Sequence, residues 1–336
     1  MPGQTDKREL RAPLASIGAK SEWIAFARHS RERALQCWQT WASAEYALPI
    51  ALVAGTAIAS FLWNARAGLT FEPELPLATL SIAAFAFCAV AVLFSTVWSR
   101  PVIVELATYF GLWGIFPVFA IRLNYLAATL NFPLQDTLFA RADAALGFDW
   151  RTWASIAWLH PALIDVLIFC YRSNIYQPFI LVVALALRGP RGRNRELLIA
   201  TVLASLLTVI VSAVLPAFGP NRAYGIASAW DPVLGALRAG RHTPLPYVGI
   251  VSFPSFHASM AVMLAASMRG YRYCFPAVVI INSFMLLATV PIGYHYFVDV
   301  IAGCAIGIGS LYLANMAARR TEAFAHRLQY EGSVER

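Results

Sequence analysis

The sequence predicts an all-α fold, a polytopic integral membrane bundle of about eight transmembrane helices, and three observations predict it. Of the 336 residues, 59% are hydrophobic and only 13% are charged, about half the charged share of an ordinary soluble domain. The mean hydropathy of +0.60 is too high for a chain of this length with a single span of about 20 residues. The apolar residues also fall into separate runs. These observations exclude a water-soluble enzyme.

Eight apolar runs are predicted to form spanning helices, because most of them approach the roughly 20 residues that a bilayer requires. In chain order they are Tyr46–Trp63, Leu77–Trp98, Val102–Ile121, Ala162–Leu187, Leu197–Leu215, Pro254–Met268, Tyr273–Ile292 and Tyr296–Met316. The sixth run is short, so we expect its first turn to begin below the membrane surface.

The distribution of Lys and Arg predicts the orientation. With the N-terminus in the cytoplasm, 18 of the 26 Lys and Arg residues fall in cytoplasmic segments, as the positive-inside rule requires. The strongest indication is the short loop 188–195, which contains four arginines. We therefore expect a multi-pass protein of the plasma or inner membrane with both termini cytoplasmic. On this interpretation the net charge of +8 reports topology, not nucleic-acid binding.

The predicted organisation has three parts: a basic cytoplasmic segment 1–45, a membrane-embedded domain 46–316 and a cytoplasmic tail 317–336. Within the first part, Ser21–Trp41 is either a helix lying on an anionic leaflet or a disordered basic tail. Asn131–His160, which carries three tryptophans, is predicted to be an interfacial lid. The five cysteines include no CxxC pair, which argues against a zinc site and a disulfide framework.

The first motif with chemical content follows a long outer loop that begins at Phe218. It reads Ser252-Phe-Pro-Ser-Phe-His-Ala-Ser259. Pro254 suits a first helical turn, and the small hydroxyl residues leave backbone N–H groups uncovered. Because a helix N-terminus with free N–H groups attracts anions, this segment is predicted to bind phosphate.

The second motif reads Gly293-Tyr-His-Tyr-Phe-Val-Asp299 and opens the last span. On a helix, His295 and Asp299 would share one face, because they are four residues apart. The carboxylate can then hydrogen-bond one imidazole nitrogen and fix the tautomer. Such a pair makes a directed nucleophile or base.

These residues carry a resemblance to a known family. Pro254-Ser-Phe-His257 resembles the Pro-Ser-x-His motif of the type 2 phosphatidic acid phosphatase superfamily, and His295-Tyr-Phe-Val-Asp299 resembles its His-x-x-x-Asp motif. The match is strong over Val251–Gly303 and extends as helical agreement from about Leu197. The resemblance implies a six-helix phosphatase-type core among the eight predicted spans. The catalytic part of the chain is expected at about 197–316.

The resemblance also implies a mechanism without a metal ion or a cofactor. His295 would attack phosphorus as the nucleophile, and Asp299 would orient it. His257 would protonate the leaving oxygen. Ser255 and nearby cations would hold the phosphoryl oxygens. The distribution of Lys and Arg independently predicts that the active site lies on the outer face of the membrane.

The sequence departs from the superfamily pattern at two phosphate-binding positions. The Lys-x6-Arg-Pro motif is absent, and Ala288–Ile292 replaces the usual Ser-Arg stretch. Arg222 is the leading replacement, since a guanidinium fork matches a phosphoryl group. Arg172 and Arg241 are weaker candidates. We interpret Arg172 rather as a structural partner of Asp165, and Arg241 is alternatively a plain loop charge.

The pattern looks closer to the branch that contains fungal inositol phosphorylceramide synthases, whose histidine motif reads His-Tyr-x-x-Asp. The segment Asp143–Trp150 also resembles a segment of that branch. The predicted substrate is a membrane lipid phosphate or diphosphate. If water resolves the intermediate, the protein is a phosphatase. If an alcohol or polyol acceptor resolves it, the protein is a phosphotransferase, and the sequence leaves both open.

A hypothesis of a different class is a proton-coupled transporter whose histidines relay protons. The clustering of ionisable residues at one membrane face argues against it.

Overall fold

The computed structural model describes residues 45–71, 75–95, 101–188, 192–228, 230–241 and 249–334. Within these ranges it contains twelve α-helices, and the all-α prediction is confirmed. They are α1 Ala47–Ala67, α2 Leu75–Leu93, α3 Pro101–Ala128, α4 Asp136–Ala145, α5 Trp150–Leu159, α6 Pro161–Arg172, α7 Gln177–Arg188, α8 Arg193–Val214, α9 Asp231–Arg238, α10 Phe256–Ser267, α11 Cys274–Thr289 and α12 Phe297–Val334. The predicted segment Ser21–Trp41 lies outside the described residues.

Four of the described helices are long and apolar enough to cross a membrane: α1, α3, α8 and the first part of α12 to Arg320. A fifth span is formed if α5 and α6, which meet at a bend of 108°, count as one crossing. The chain is therefore a multi-pass membrane protein. Shorter apolar helices occur in α2, α7, α10 and α11, so the number eight stays a prediction.

The predicted fourth span, Ala162–Leu187, is not one continuous helix. It divides into α6 and α7 at a short 3-10 turn, Ser173–Ile175. The physical reason is Pro178, because a proline has no N–H to bond the carbonyl four residues earlier, which belongs to Asn174 in the 3-10 turn, and its ring would clash with that carbonyl. At this break Gln177 and Asn282 of α11 exchange side-chain hydrogen bonds inside the bundle.

The centre of the bundle consists of α8, α10 and α12, which pack against one another, with α3 on the other side of α8. Leu197 and Leu198 of α8 pack with Met263 and Leu264 of α10 in the largest buried cluster. Small residues permit close approach in membrane helix pairs. A Cβ added at Gly303 of α12 would lie 2.2 Å from the carbonyl oxygen of Ser255, so the two backbones are in contact there.

Candidate active site

The two sequence motifs meet where α10 and α12 begin. His295 is 3% exposed and Asp299 is fully buried. His295 Nδ1 lies 3.2 Å from Asp299 Oδ2. Since a carboxylate accepts, Nδ1 carries the proton and the lone pair of Nε2 is left on the far side of the ring.

His295 and Asp299 are paired for a different reason from the shared helix face that their spacing predicts. His295 is not on a helix, because α12 begins at Phe297. Asp299 instead lies in the first turn, and its carboxylate turns back toward the preceding chain. There Oδ2 accepts hydrogen bonds from the Tyr296 N–H at 2.9 Å and from the Ser252 hydroxyl at 3.1 Å. Three donors therefore converge on one oxygen and fix its position against the imidazole.

Ser255 connects the two motifs. Its hydroxyl oxygen lies 3.3 Å from His295 Nε2, and because Nε2 has the lone pair, the hydroxyl is the donor. The same oxygen accepts from the Ala258 N–H as the N-cap of α10. The N–H groups of the first helical turn, at Phe256 and His257, have no carbonyl within the helix to bond. A phosphoryl group at this point would meet these N–H groups, the hydroxyl and Nε2.

His257 lies in the first turn of α10 and is half-buried. Its ring stacks on Tyr171 of α6, with ring centroids 4.0 Å apart and an interplanar angle of 16°. A Cβ at Gly293 would lie 3.0 Å from the Tyr171 hydroxyl and 2.8 Å from His295 Cδ2. Tyr171 therefore contacts the ring of His257 and also lies next to Gly293, two residues before His295. A side chain at position 293 would collide with the Tyr171 hydroxyl and with the His295 ring.

The N-terminus of α12 is capped by a residue from a distant part of the chain. The Asp143 carboxylate, on α4, accepts from the Phe297 N–H at 2.8 Å and from the Val298 N–H at 2.9 Å. Burial raises the pKa of Asp143, while these two N–H groups act in the opposite direction. Since the first N–H groups of a helix have no internal partners, Asp143 fixes the turn that carries Asp299.

A second α4 carboxylate holds the outer loop. Asp136 accepts from the backbone N–H groups of Phe218 and Gly219, at 3.1 and 2.9 Å, and from the Tyr296 hydroxyl at 3.2 Å. Gly219 has a φ of +114°, and a Cβ there would lie 2.6 Å from the Tyr294 carbonyl oxygen. The loop thus lies directly against the residue that precedes His295.

The three predicted phosphate-binding arginines have different surroundings. Arg222 is exposed, and its guanidinium lies 4.0 Å from the centre of the Phe218 ring, on the loop that contacts Tyr294. Arg172 is exposed at the end of α6, directly after Tyr171. Arg241 instead lines a cleft of about 270 Å³ with Leu69, Thr129 and Arg238. None of the described hydrogen bonds joins these guanidinium groups to Ser255, His295 or Asp299.

The structure does not show the structural pair of Asp165 and Arg172 that their spacing suggested. Both residues are exposed, and they form no ion pair in the described part of the chain. Residues seven apart share a helix face, but they are separated by two turns, roughly 10 Å along the axis, so neither side chain reaches the other easily.

Sequence reasoning missed the roles of Ser252, Tyr171, Asp136 and Asp143. A signal existed for the two aspartates, because they stand seven residues apart on one face of a short helix before the tryptophans.

Among the described residues, no group of three or more His, Cys, Asp and Glu side chains is arranged to hold a metal ion.

Comparison with known proteins gives one match. A family model described as the PAP2 superfamily matches residues 137–313, just over half of the chain. The chain belongs to the PAP2 superfamily. The matched region contains both motifs and extends upstream to α4, so it includes Asp143. No curated protein and no solved structure gives a significant match.

Proposed function

We propose that this PAP2-superfamily protein is an integral membrane enzyme that cleaves or transfers the phosphoryl group of a lipid phosphate or diphosphate through a phosphohistidine at His295. The observation that carries the proposal is the arrangement around one imidazole. Nδ1 donates to Asp299, and Nε2 points to Ser255 at the start of α10. Side chains of this kind produce an oriented nitrogen nucleophile.

In the first step, the lone pair of His295 Nε2 attacks phosphorus. A P–N bond forms, the P–O bond to the lipid breaks, and protonated His257 transfers its proton to the leaving oxygen. The Ser255 hydroxyl turns from Nε2 to a phosphoryl oxygen, and the α10 N-terminus stabilises the negative charge. Arg222, on the outer loop that contacts Tyr294, is the proposed phosphate-binding cation.

In the second step, the oxygen of water or of an alcohol attacks phosphorus and transfers its proton to His257. The P–N bond breaks, and neutral His295 is regenerated. Asp299 keeps the imidazole oriented and stabilises the charge that it develops in both steps. All of these groups belong to the chain, so the reaction does not depend on a metal ion or cofactor.

Transfer to an alcohol is a second candidate, as in the inositol phosphorylceramide synthase-like branch. One observation favours it. Trp150 stacks on Tyr224 with ring centroids 5.5 Å apart and lies 6.4 Å from the Tyr294 ring. These rings, supplied by α5, the outer loop and the segment before α12, form an aromatic wall that includes Tyr294, the neighbour of His295 in the chain. Such a wall limits the access of water to a reactive intermediate.

The test is a purified-protein assay against a panel of lipid monophosphates and diphosphates, with and without polyol acceptors and with and without a chelator. We expect a substrate-dependent product in chelator, either free phosphate or a phosphorylated acceptor, and none from His295→Ala. Product release that is unchanged in His295→Ala would refute the proposal. If activity is lost in the presence of the chelator and restored by a divalent ion, the attacking group is a metal-activated water and not His295.

The proposed orientation places both termini in the cytoplasm and His295 at the outer face of the plasma or inner membrane. It is tested with Ser228→Cys and Arg191→Cys in a cysteine-free background. An impermeant thiol reagent should label the two positions from opposite sides. Labelling from the same side would refute the orientation.

A further inference from the structure

A groove of about 440 Å³ opens at the end of the bundle opposite to His295. One wall consists of Glu196, in the first turn of α8, and Arg269, directly after α10. The other wall is one face of α12 that ends at Arg319. The membrane-crossing part of α12 has 24 residues, about 36 Å of helix. The Arg319 end of the groove therefore lies about one bilayer thickness away from the catalytic motifs.

The first wall is held in place by hydrogen bonds. Arg269 bonds both carboxylate oxygens of Glu196, at 2.8 and 3.0 Å, and caps the Ala266 carbonyl at 3.0 Å. Arg193 donates to the carbonyl oxygens of Ser267 and Arg269. The Glu196 side chain is 12% exposed and that of Arg269 is 45% exposed. The carboxylate is thus covered, while the guanidinium remains accessible from the groove.

The second wall changes in polarity along the helix. Leu311, Asn315 and Arg319 are spaced four residues apart and so lie on one face of α12. Tyr312 and Met316 lie beside them and complete the strip. From Leu311 toward the end of the membrane-crossing part of α12, the strip runs from aliphatic through amide to guanidinium over about 12 Å. A glycerophospholipid has the same order of acyl chain, ester linkage and phosphate.

The charge of the groove also matches that ligand. Its lining contains two arginines and one glutamate, which leaves one net positive charge. A phosphodiester headgroup without an amine carries one negative charge. Basic pockets between spanning helices are suited to anionic headgroups, and guanidinium groups bind phosphate oxygens in a fork.

We propose that this groove binds an anionic glycerophospholipid of the leaflet opposite to the catalytic centre. The phosphate lies between Arg269 and Arg319, the glycerol esters lie near Asn315, and the chains follow Leu311 and Met316 into the bilayer. The site is separate from the reaction at His295, and its test measures binding, so it stands or fails independently of the proposed function.

The experiment uses the full-length protein in a neutral detergent, with native mass spectrometry to count bound lipid during titration. Phosphatidylglycerol is compared with phosphatidylcholine of identical chains. We expect phosphatidylglycerol to bind about tenfold more tightly, which corresponds to one charge-assisted contact. Arg319→Gln should remove this preference, and Arg319→Lys should retain part of it.

Arg272→Gln is the matched control. Arg272 is exposed at the same end of the bundle, near the Tyr273 ring, and does not line the groove. It should keep the tenfold preference. Equal binding of the two lipids, or equal losses in Arg319→Gln and Arg272→Gln, would overturn the proposal. Displacement of the lipid by millimolar inorganic phosphate would overturn the assignment to a lipid, because it would show that the chains contribute nothing. Unchanged thermal unfolding of the lipid-free variants confirms that they fold.

Discussion

Substitution of Asp143 tests whether a distant cap controls the catalytic turn. In Asp143→Asn, one acceptor oxygen remains for the two N–H groups of Phe297 and Val298, which now lie 2.8 and 2.9 Å from separate carboxylate oxygens. The other N–H faces an amide NH₂ and is left unsatisfied, at a cost of about 1–3 kcal/mol. The helix N-terminus also loses a negative charge, which contributes about 0.3–1 kcal/mol or more.

We take about 2 kcal/mol as the free energy by which Asp143→Asn destabilises the turn that positions Asp299 against His295. If this free energy is expressed in the transition state, kcat falls about 30-fold. KM should change little, because the Asp143 carboxylate is occupied by the α12 backbone and none of its described hydrogen bonds reaches Ser255 or the start of α10. The measurements are steady-state kinetics and the single-turnover rate of phosphoenzyme formation.

The matched control is Asp149→Asn. Asp149 is also an N-cap, and it accepts from the N–H groups of Arg151 and Thr152 at the start of α5. The helix α5 carries none of the proposed catalytic groups, so the loss of the Asp149 carboxylate should leave kcat nearly unchanged. Equal effects of the two substitutions, or an effect of Asp143→Asn on KM alone, would refute the argument that the cap acts through Asp299.

Three further predictions concern the site. His295→Ala should abolish an acid-labile phosphoenzyme, and Asp299→Asn should slow its formation by a factor on the order of 10² to 10⁴ while preserving the fold; label trapped on His295→Ala would reverse the assignment of the nucleophile. His257→Ala should reduce the rate by about 10² or more for alkyl phosphates but much less for nitrophenyl phosphate, whose leaving group needs little protonation; equal losses would contradict a general-acid role. Burial raises the pKa of Asp143, against the opposite effect of the Phe297 and Val298 N–H groups, so this carboxylate is protonated at a higher pH than an exposed aspartate and, once protonated, offers the two N–H groups one acceptor oxygen, as asparagine does. The kcat of the wild type should therefore fall toward that of Asp143→Asn as the pH falls through the raised pKa, and a kcat ratio that stays constant would contradict the shift.

The central part of the site could be predicted because its signals are local in sequence. Ser255 and His257 belong to one tetrapeptide, and His295 and Asp299 are four residues apart. Their short spacing restricts the possible geometries, even though His295 precedes the helix on which it was expected. The helical class follows from hydropathy in the same direct way.

The supporting contacts could not be predicted, because they join residues that are far apart in sequence. The bonds from α12 to Asp143 span 154 and 155 residues, and the bond from Tyr296 to Asp136 spans 160. Hydropathy also identifies apolar length but not the continuity of a helix, which is why α6 and α7 were merged across their break. The hydropathy averaged over this span does not register Pro178, which marks the break in the helix.

The contact at Gly303 has a consequence for how this enzyme can diverge. The Gly303 carbonyl accepts from the Ser259 hydroxyl at 2.7 Å, and its Cα faces the Ser255 carbonyl. Main-chain atoms therefore set the distance between the starts of α10 and α12. Substitutions at other positions do not change the size of these atoms. The lipid-facing and outer-loop side chains can change with the substrate while the spacing of the reacting groups is inherited intact. On the proposed function, chemistry and specificity are therefore encoded in separable parts of the chain.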